Sequence, residues 1–207
     1  ETDLNKLVVF SKTHSFDLYL QPGDARSALK IWPENTPERL YYYLSLPESL
    51  IKNARVNTKL SLAFHPTDFT QVNTQINRQM VIRALEWLDI QETDRVLDLF
   101  CGLGNFTLPI ACYAKSVVGV EGNDEMVSRG RENAKLNALD NVSFYAGNLQ
   151  TDIASHHWAK ESFDKVLIDP PRSGALDVVK VLGRFNAKRI VYIYLVTLLR
   201  LQEIQVC

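Results

Sequence analysis

From Asn73 onward the chain alternates short apolar runs with helix-length segments, and that alternation leaves few folds open. Residues 95–100 (RVLDLF), 116–121 (SVVGVE), 142–145, 163–169 (FDKVLID) and 189–193 read as strands. Residues 105–114, 123–136 and 176–185 read as helices between them. Asn123 can cap its helix, and Asp124 and Glu125 suit the positive end. An earlier helix places Ile76, Met80, Ala84, Leu85 and Leu88 on one face, with Thr74 or Asn73 as its cap. Strands separated by helices cannot pair as hairpins. They imply an α/β fold, a parallel sheet with right-handed crossovers.

Residues before this point read as β-rich. Leu7-Val8-Val9-Phe10 and Asp17-Leu18-Tyr19-Leu20 are strand candidates, with Gln21-Pro22-Gly23-Asp24 as a turn. Residues 40–46 (LYYYLSL) and 60–64 come next. So short a stretch cannot build its own core and is expected to lean on the rest of the chain. A boundary near His65-Pro66 divides residues 1–65 from 66–207.

The first strand runs into Asp98-Leu99-Phe100-Cys101-Gly102-Leu103-Gly104-Asn105, a glycine loop before a helix. Such a loop lets the backbone turn tightly and approach a ligand. A dinucleotide fingerprint needs glycine three residues after Gly104, where Thr107 stands. Asp98 suits a ligand that carries a cation better than one that carries pyrophosphate. Glu121 closes the second strand, where a carboxylate can accept both hydroxyls of a ribose. The fourth strand ends in Asp169-Pro170-Pro171-Arg172, and prolines there take the chain out of the sheet at its ligand-binding edge.

Composition narrows the setting. A formal net charge of −1 gives no global basic field, although a basic patch can be local. Three cysteines, Cys101, Cys112 and Cys207, are too few for a disulfide framework or a four-cysteine cluster. His14, His65, His156 and His157 show no metal-ligand spacing with them. The apolar run at 190–199 is shorter than the ~20 residues that span a bilayer. No signal-peptide pattern opens the sequence. The expectation is a cytoplasmic chain with no membrane, metal or iron–sulfur partner.

Together these segments resemble a class I S-adenosylmethionine-dependent methyltransferase with a Rossmann-like sheet. More narrowly, FTQVN (69–73), VLDLFCGLGNFTLPIA (96–111), VVGVEGN (117–123), NVSFYAGNL (141–149) and DPPRSG (169–174) resemble the RNA (uracil-C5)-methyltransferases. Within that family the sequence is most similar to the bacterial enzymes that act on 23S rRNA. The resemblance covers about three-fifths of the chain and implies S-adenosyl-L-methionine as cofactor and RNA as partner. It makes 1–65 a fragment of a β-rich central domain and 66–207 the methyltransferase domain. It implies six cofactor contacts: Gln71, Phe100, Asn105, Glu121, Asn148 and Asp169. Glu121 would hold the ribose and Phe100 would pack on apolar cofactor surface. The three amides would serve adenine or methionine groups. Asp169 would meet the ammonium or orient the pocket. In the family's reaction a cysteine thiolate adds to carbon 6 of uracil, and carbon 5 then takes the methyl group. The target base must leave its stack first.

The sequence departs from the family after the fifth strand. The family carries its nucleophile there in Ser-Cys-Asn-Pro. Here Tyr194-Leu195-Val196-Thr197 follows Ile193, with Leu195 in the cysteine's place. Under one allowed choice of codons, 194–205 read in a shifted frame gives Ser-Cys-Asn-Pro-Ala-Thr-Leu-Ala-Arg-Asp-Thr. The expectation is a shift near the Ile193 codon, with the sheet incomplete at its C-terminal end and the chain truncated at both ends. Three functions remain open: a uracil methyltransferase, a non-catalytic S-adenosylmethionine- or RNA-binding remnant, and a methyltransferase of exocyclic amines. The last class usually has an aromatic where Arg172 stands.

Overall fold

A computed structural model of the chain describes residues 2–24, 27–36, 38–47, 59–71, 73–151 and 153–194. They form two compact units, 1–41 with 64–70, and 42–63 with 71–207.

In the smaller unit, helix α1 (Asp3–His14) precedes two antiparallel strands, β1 (Leu18–Leu20) and β2 (Leu29–Trp32). The expected strand at Leu7-Val8-Val9-Phe10 is instead the middle of α1. Four consecutive apolar residues fit either period, and the helix leaves Leu7, Val9 and Phe10 exposed, so no buried stripe marks it. The Lys12 ammonium lies 4.3 Å from the Trp32 ring centroid.

In the larger unit β3 (Leu40–Ser45) pairs with β4 (Lys59–Phe64). Helix α2 (Thr74–Leu88) comes next, with Asn73 as its cap: Asn73 Oδ1 accepts from the Ile76 N–H at 3.1 Å. Its buried face is Asn77, Val81, Ala84, Leu85 and Leu88. Ile76, expected on that face, is 52% exposed, because a polar residue at Asn77 has taken the inward position.

Then come β5 (Arg95–Leu99), α3 (Thr107–Ala111), β6 (Ser116–Glu121), α4 (Asp124–Leu136), β7 (Val142–Ala146), β8 (Lys165–Ile168), α5 (Leu176–Val181) and β9 (Arg189–Tyr192). All five strands are parallel, in the order β7-β6-β5-β8-β9. The helix expected over 105–114 is shorter, because Asn105 and Phe106 stay in the loop. That over 176–185 tightens to a 3-10 turn at Leu182. Leu97, Leu99, Val118, Val120, Val166 and Ile168 pack with Trp158, Phe163, Val178 and Phe185 in one core. Strands buried on both faces explain the near-continuous apolar runs. The chain order reverses between β5 and β8, so a crevice opens at their carboxyl ends, where open α/β sheets take ligands.

Candidate cofactor site at the carboxyl edge of the sheet

Strand register brings four of the six expected contacts to one edge. Leu99 pairs with Val120 and Ile168, and Glu121 with Ala146. Phe100, Glu121, Asn148 and Asp169 therefore stand at or just beyond the ends of four adjacent strands, each about 4.8 Å from the next.

Phe100 leaves β5 with φ of 65°, a left-handed conformation unusual for a bulky residue. Its N–H and that of Cys101 both donate to the Val120 carbonyl, at 2.9 and 3.1 Å. This turn starts the glycine loop, and Gly102 continues it with φ of 54°. The Gly102 N–H donates to Glu121 Oε2 at 3.1 Å, while Glu121 Oε1 accepts from the Asn123 N–H at 3.1 Å. Glu121 thus braces the loop and the start of α4 with one lone pair per oxygen and keeps others free. Asn123 Oδ1 caps α4 by accepting from the Glu125 and Met126 N–H groups.

Asp98 lies one layer deeper and is fully buried. Its Oδ2 accepts from Thr107 Oγ1 at 2.5 Å, and its Oδ1 has no hydrogen-bond partner. Burial pushes its carboxyl up to about 8; the Thr107 hydroxyl pulls the other way, and the charges of Asp169 and Glu121 add to the rise. Asp169, half-buried, is pushed up by burial to about 6. The carboxyl groups of Asp98, Glu121 and Asp169 thus interact with one another at one edge of the sheet.

Asn148 is exposed, and its Oδ1 accepts from the Gln150 N–H at 2.8 Å, a local turn contact. Gln71 is half-buried in the segment before α2 and is not set by the sheet register. The Asn105 amide is engaged within the protein, with Asn77 and Tyr42. Leu195 lies outside the described residues, as does Cys207. Cys101 is buried, and burial with the charges of Asp98 and Glu121 holds its thiol well above the ordinary range. That thiol stays neutral and packed.

The methyltransferase-domain family matches residues 90–200, more than half of the chain. This chain belongs to that family. The 23S rRNA (uracil(1939)-C(5))-methyltransferase RlmD of Alcanivorax borkumensis is 47% identical over 193 residues, which is 93% of this chain and 41% of that protein. The RlmD of Hahella chejuensis is 48% identical over 198 residues, 93% of this chain and 42% of that protein. The chain spans about two-fifths of the length of these relatives. A tRNA (uracil-54, C5)-methyltransferase from Pyrococcus abyssi, solved with S-adenosyl-L-homocysteine, matches with a TM-score of 0.53 and 28% identity. That match covers 64% of this chain and 32% of the other.

Three features of this methyltransferase domain escaped the sequence reading. Two are the partners of Asn105. Tyr42 was visible in principle, since alternation along 40–45 puts it on the inward face with Leu44. Asn77 broke an otherwise apolar stripe. The third is the unpaired oxygen of Asp98, which no local pattern reveals. Among the described residues no cluster of His, Cys, Asp or Glu is placed to hold a metal ion. No helix among them is long and apolar enough to cross a membrane.

Proposed function

We propose that this chain is part of an S-adenosylmethionine-dependent RNA (uracil-C5)-methyltransferase acting on 23S rRNA in the cytoplasm. In this reading 1–65 is a fragment of a β-rich domain and 66–207 the methyltransferase domain. Identity of 47% with a protein of that activity, over 93% of the chain, supports it. The observation that carries it is the meeting of three carboxyl groups at the sheet edge. Asp98 is fully buried with one unpaired oxygen, and Glu121 and Asp169 add their charges to it. A ligand with a sulfonium and an ammonium relieves that repulsion, whereas a pyrophosphate adds to it.

When bound, S-adenosylmethionine supplies an electrophilic methyl group. Glu121 accepts the ribose hydroxyls with the lone pairs that Gly102 and Asn123 leave free. Phe100 packs on apolar cofactor surface. Gln71, Asn105 and Asn148 contribute amide contacts, and Asp169 meets the ammonium or orients the pocket. RNA enters at the same carboxyl edge with its target base unstacked.

A second reading rests on the resemblance. It puts Leu195 where the uracil methyltransferases carry their cysteine, and leucine offers no nucleophile. The buried, neutral Cys101 does not replace it. On this reading the chain as written binds cofactor or RNA without transfer, and the shifted frame after Ile193 restores the enzyme.

Calorimetric titration of S-adenosylhomocysteine into the chain tests the binding claim. One-to-one binding is expected, weakened at least tenfold by Glu121→Ala. A folded chain that binds nothing overturns it. Incubation with labelled cofactor and 23S rRNA tests the chemistry. No transfer is expected from this chain, and carbon-5 transfer from a frame-restored version. Label on an exocyclic amine would favour the amino-directed class.

A further inference from the structure

Asn105 sits at the end of the glycine loop, and its side chain is nearly saturated by the protein itself. Its Oδ1 accepts from the Tyr42 hydroxyl at 3.0 Å and from Asn77 Nδ2 at 2.9 Å. Its Nδ2 donates to Asn77 Oδ1 at 2.9 Å. A primary amide offers two acceptor sites and two donors. Three of the four are in use, and one N–H is left.

The three residues come from separate elements: Tyr42 from β3, Asn77 from α2 and Asn105 from the loop between β5 and α3. Asn77 is 3% exposed, so its amide has little water to turn to. Burial pushes the Tyr42 hydroxyl well above its ordinary range, and the phenol remains a protonated donor. A reciprocal amide pair alone survives a flip of both amides, because oxygen and nitrogen simply exchange roles. The Tyr42 hydroxyl donates to Oδ1 and adds a third tie, from β3, to the pair.

We propose that Tyr42 and Asn77 are positioning residues that hold the Asn105 side chain at the glycine loop, leaving a single amide site to meet the ligand held there. This rests on the cofactor reading above and sharpens it: Asn105 makes one hydrogen bond to the ligand. Strand β3, outside the parallel sheet, thereby helps to set the geometry of the cofactor loop.

A double-mutant cycle on the full chain tests this, with S-adenosylhomocysteine affinity measured by calorimetry. The variants are Tyr42→Phe, Asn77→Ala and Asn105→Ala, with each of the first two also combined with the third. One hydrogen bond is worth about fivefold in an equilibrium constant. Tyr42→Phe is expected to weaken binding by about that factor in the native background. In the Asn105→Ala background it is expected to have no effect. A merely structural Tyr42 lowers the unliganded melting temperature but weakens binding equally in both backgrounds, or not at all, and either result overturns the inference. If Tyr42→Phe does not fold, the Asn77→Ala cycle decides by the same criterion. A native chain that binds no S-adenosylhomocysteine overturns the cofactor reading together with this inference. A native chain that binds, with additive variants, overturns this inference alone.

Discussion

Asn133, on α4, meets the backbone of Ala63 as a neighbouring strand would. Its Oδ1 accepts from the Ala63 N–H at 2.7 Å, and its Nδ2 donates to the Ala63 carbonyl at 3.1 Å. One helical turn on, Asn137 repeats the arrangement with Ser61, at 2.9 and 2.7 Å. Four residues of helix rise about 6 Å and two residues of strand about 6.6 Å, so the two periods match. Two side-chain amides thus pair the edge of β4. Asn133 also donates to the Leu103 carbonyl at 3.1 Å, which ties β4, α4 and the glycine loop together.

Asn133→Leu keeps the side-chain volume but strips Ala63 of both partners in a site with no solvent access. A loss of about 2–4 kcal/mol is expected, from more than one buried group left unpaired. Asn137→Ala, in a half-buried position, should cost about 1 kcal/mol. Urea unfolding measures both, and an Asn133→Leu variant as stable as the native chain would contradict the pairing.

Much of this was legible in the sequence, and the misses have physical causes. The central strands β5, β6 and β8 are buried on both faces, so a run of apolar residues marks each; β6 (Ser116–Glu121) matches its expected bounds. Asn123 and Asn73 announce their helices because capping is a local interaction. α1 was misread because its apolar residues stay exposed and leave no periodic stripe. Phe100, Glu121 and Asp169 could be placed together because they end strands, and strand ends share an edge. The Asn105 amide could not, since its partners lie 28 and 63 residues away in sequence. Only the packing of α2 and β3 brings them together.

Stability should fall as pH rises from about 4 to 8. Asp98 and Asp169 have folded-state values of about 8 and about 6 against 3.8 for an ordinary aspartate. Between those limits the folded chain holds more protons than the unfolded one, so raising pH favours unfolding, and the fall levels off above about 8. Asp164 acts in the opposite sense. The Arg95 N–H and the Lys188 ammonium lower its value, and its contribution is lost as pH falls below the ordinary aspartate range. Asp98→Asn should flatten the curve between pH 6 and 8, so its stability relative to the native chain rises with pH. Melting temperatures across pH 4–9 measure this. Parallel curves for the two proteins would mean that Asp98 does not titrate in the folded state.

Neither Cys101, which is buried, nor Cys112, which is half-buried, should react with alkylating reagents in the native chain. Cys101 Sγ faces the Gly102 carbonyl at 3.7 Å, and burial keeps its thiol neutral. Cys112 Sγ faces the Leu108 carbonyl at 3.4 Å, and burial pushes it up to about 12. Iodoacetamide at pH 8 followed by peptide mapping should leave both unmodified until denaturant is added. Rapid labelling of Cys101 would reopen the question of whether it can attack a base.

The two glycines of the cofactor loop should differ in what they tolerate. Gly102 has a φ of 54°, within the left-handed helical region, and a Cβ there meets only Met126 Cε at 3.6 Å. Gly102→Ala should cost about 1 kcal/mol, the strain of that conformation for an L residue. Gly104 has a φ of 99°, outside that region, and its Cβ would stand 3.2 Å from both Leu108 Cγ and Phe144 Cζ. Strain and crowding add at this position, so Gly104→Ala should cost about 2 kcal/mol or more. It should also displace Asn105, its chain neighbour, from Asn77 and Tyr42. Thermal unfolding ranks the two variants, and equal losses would show that Leu108 and Phe144 yield freely to the added methyl group.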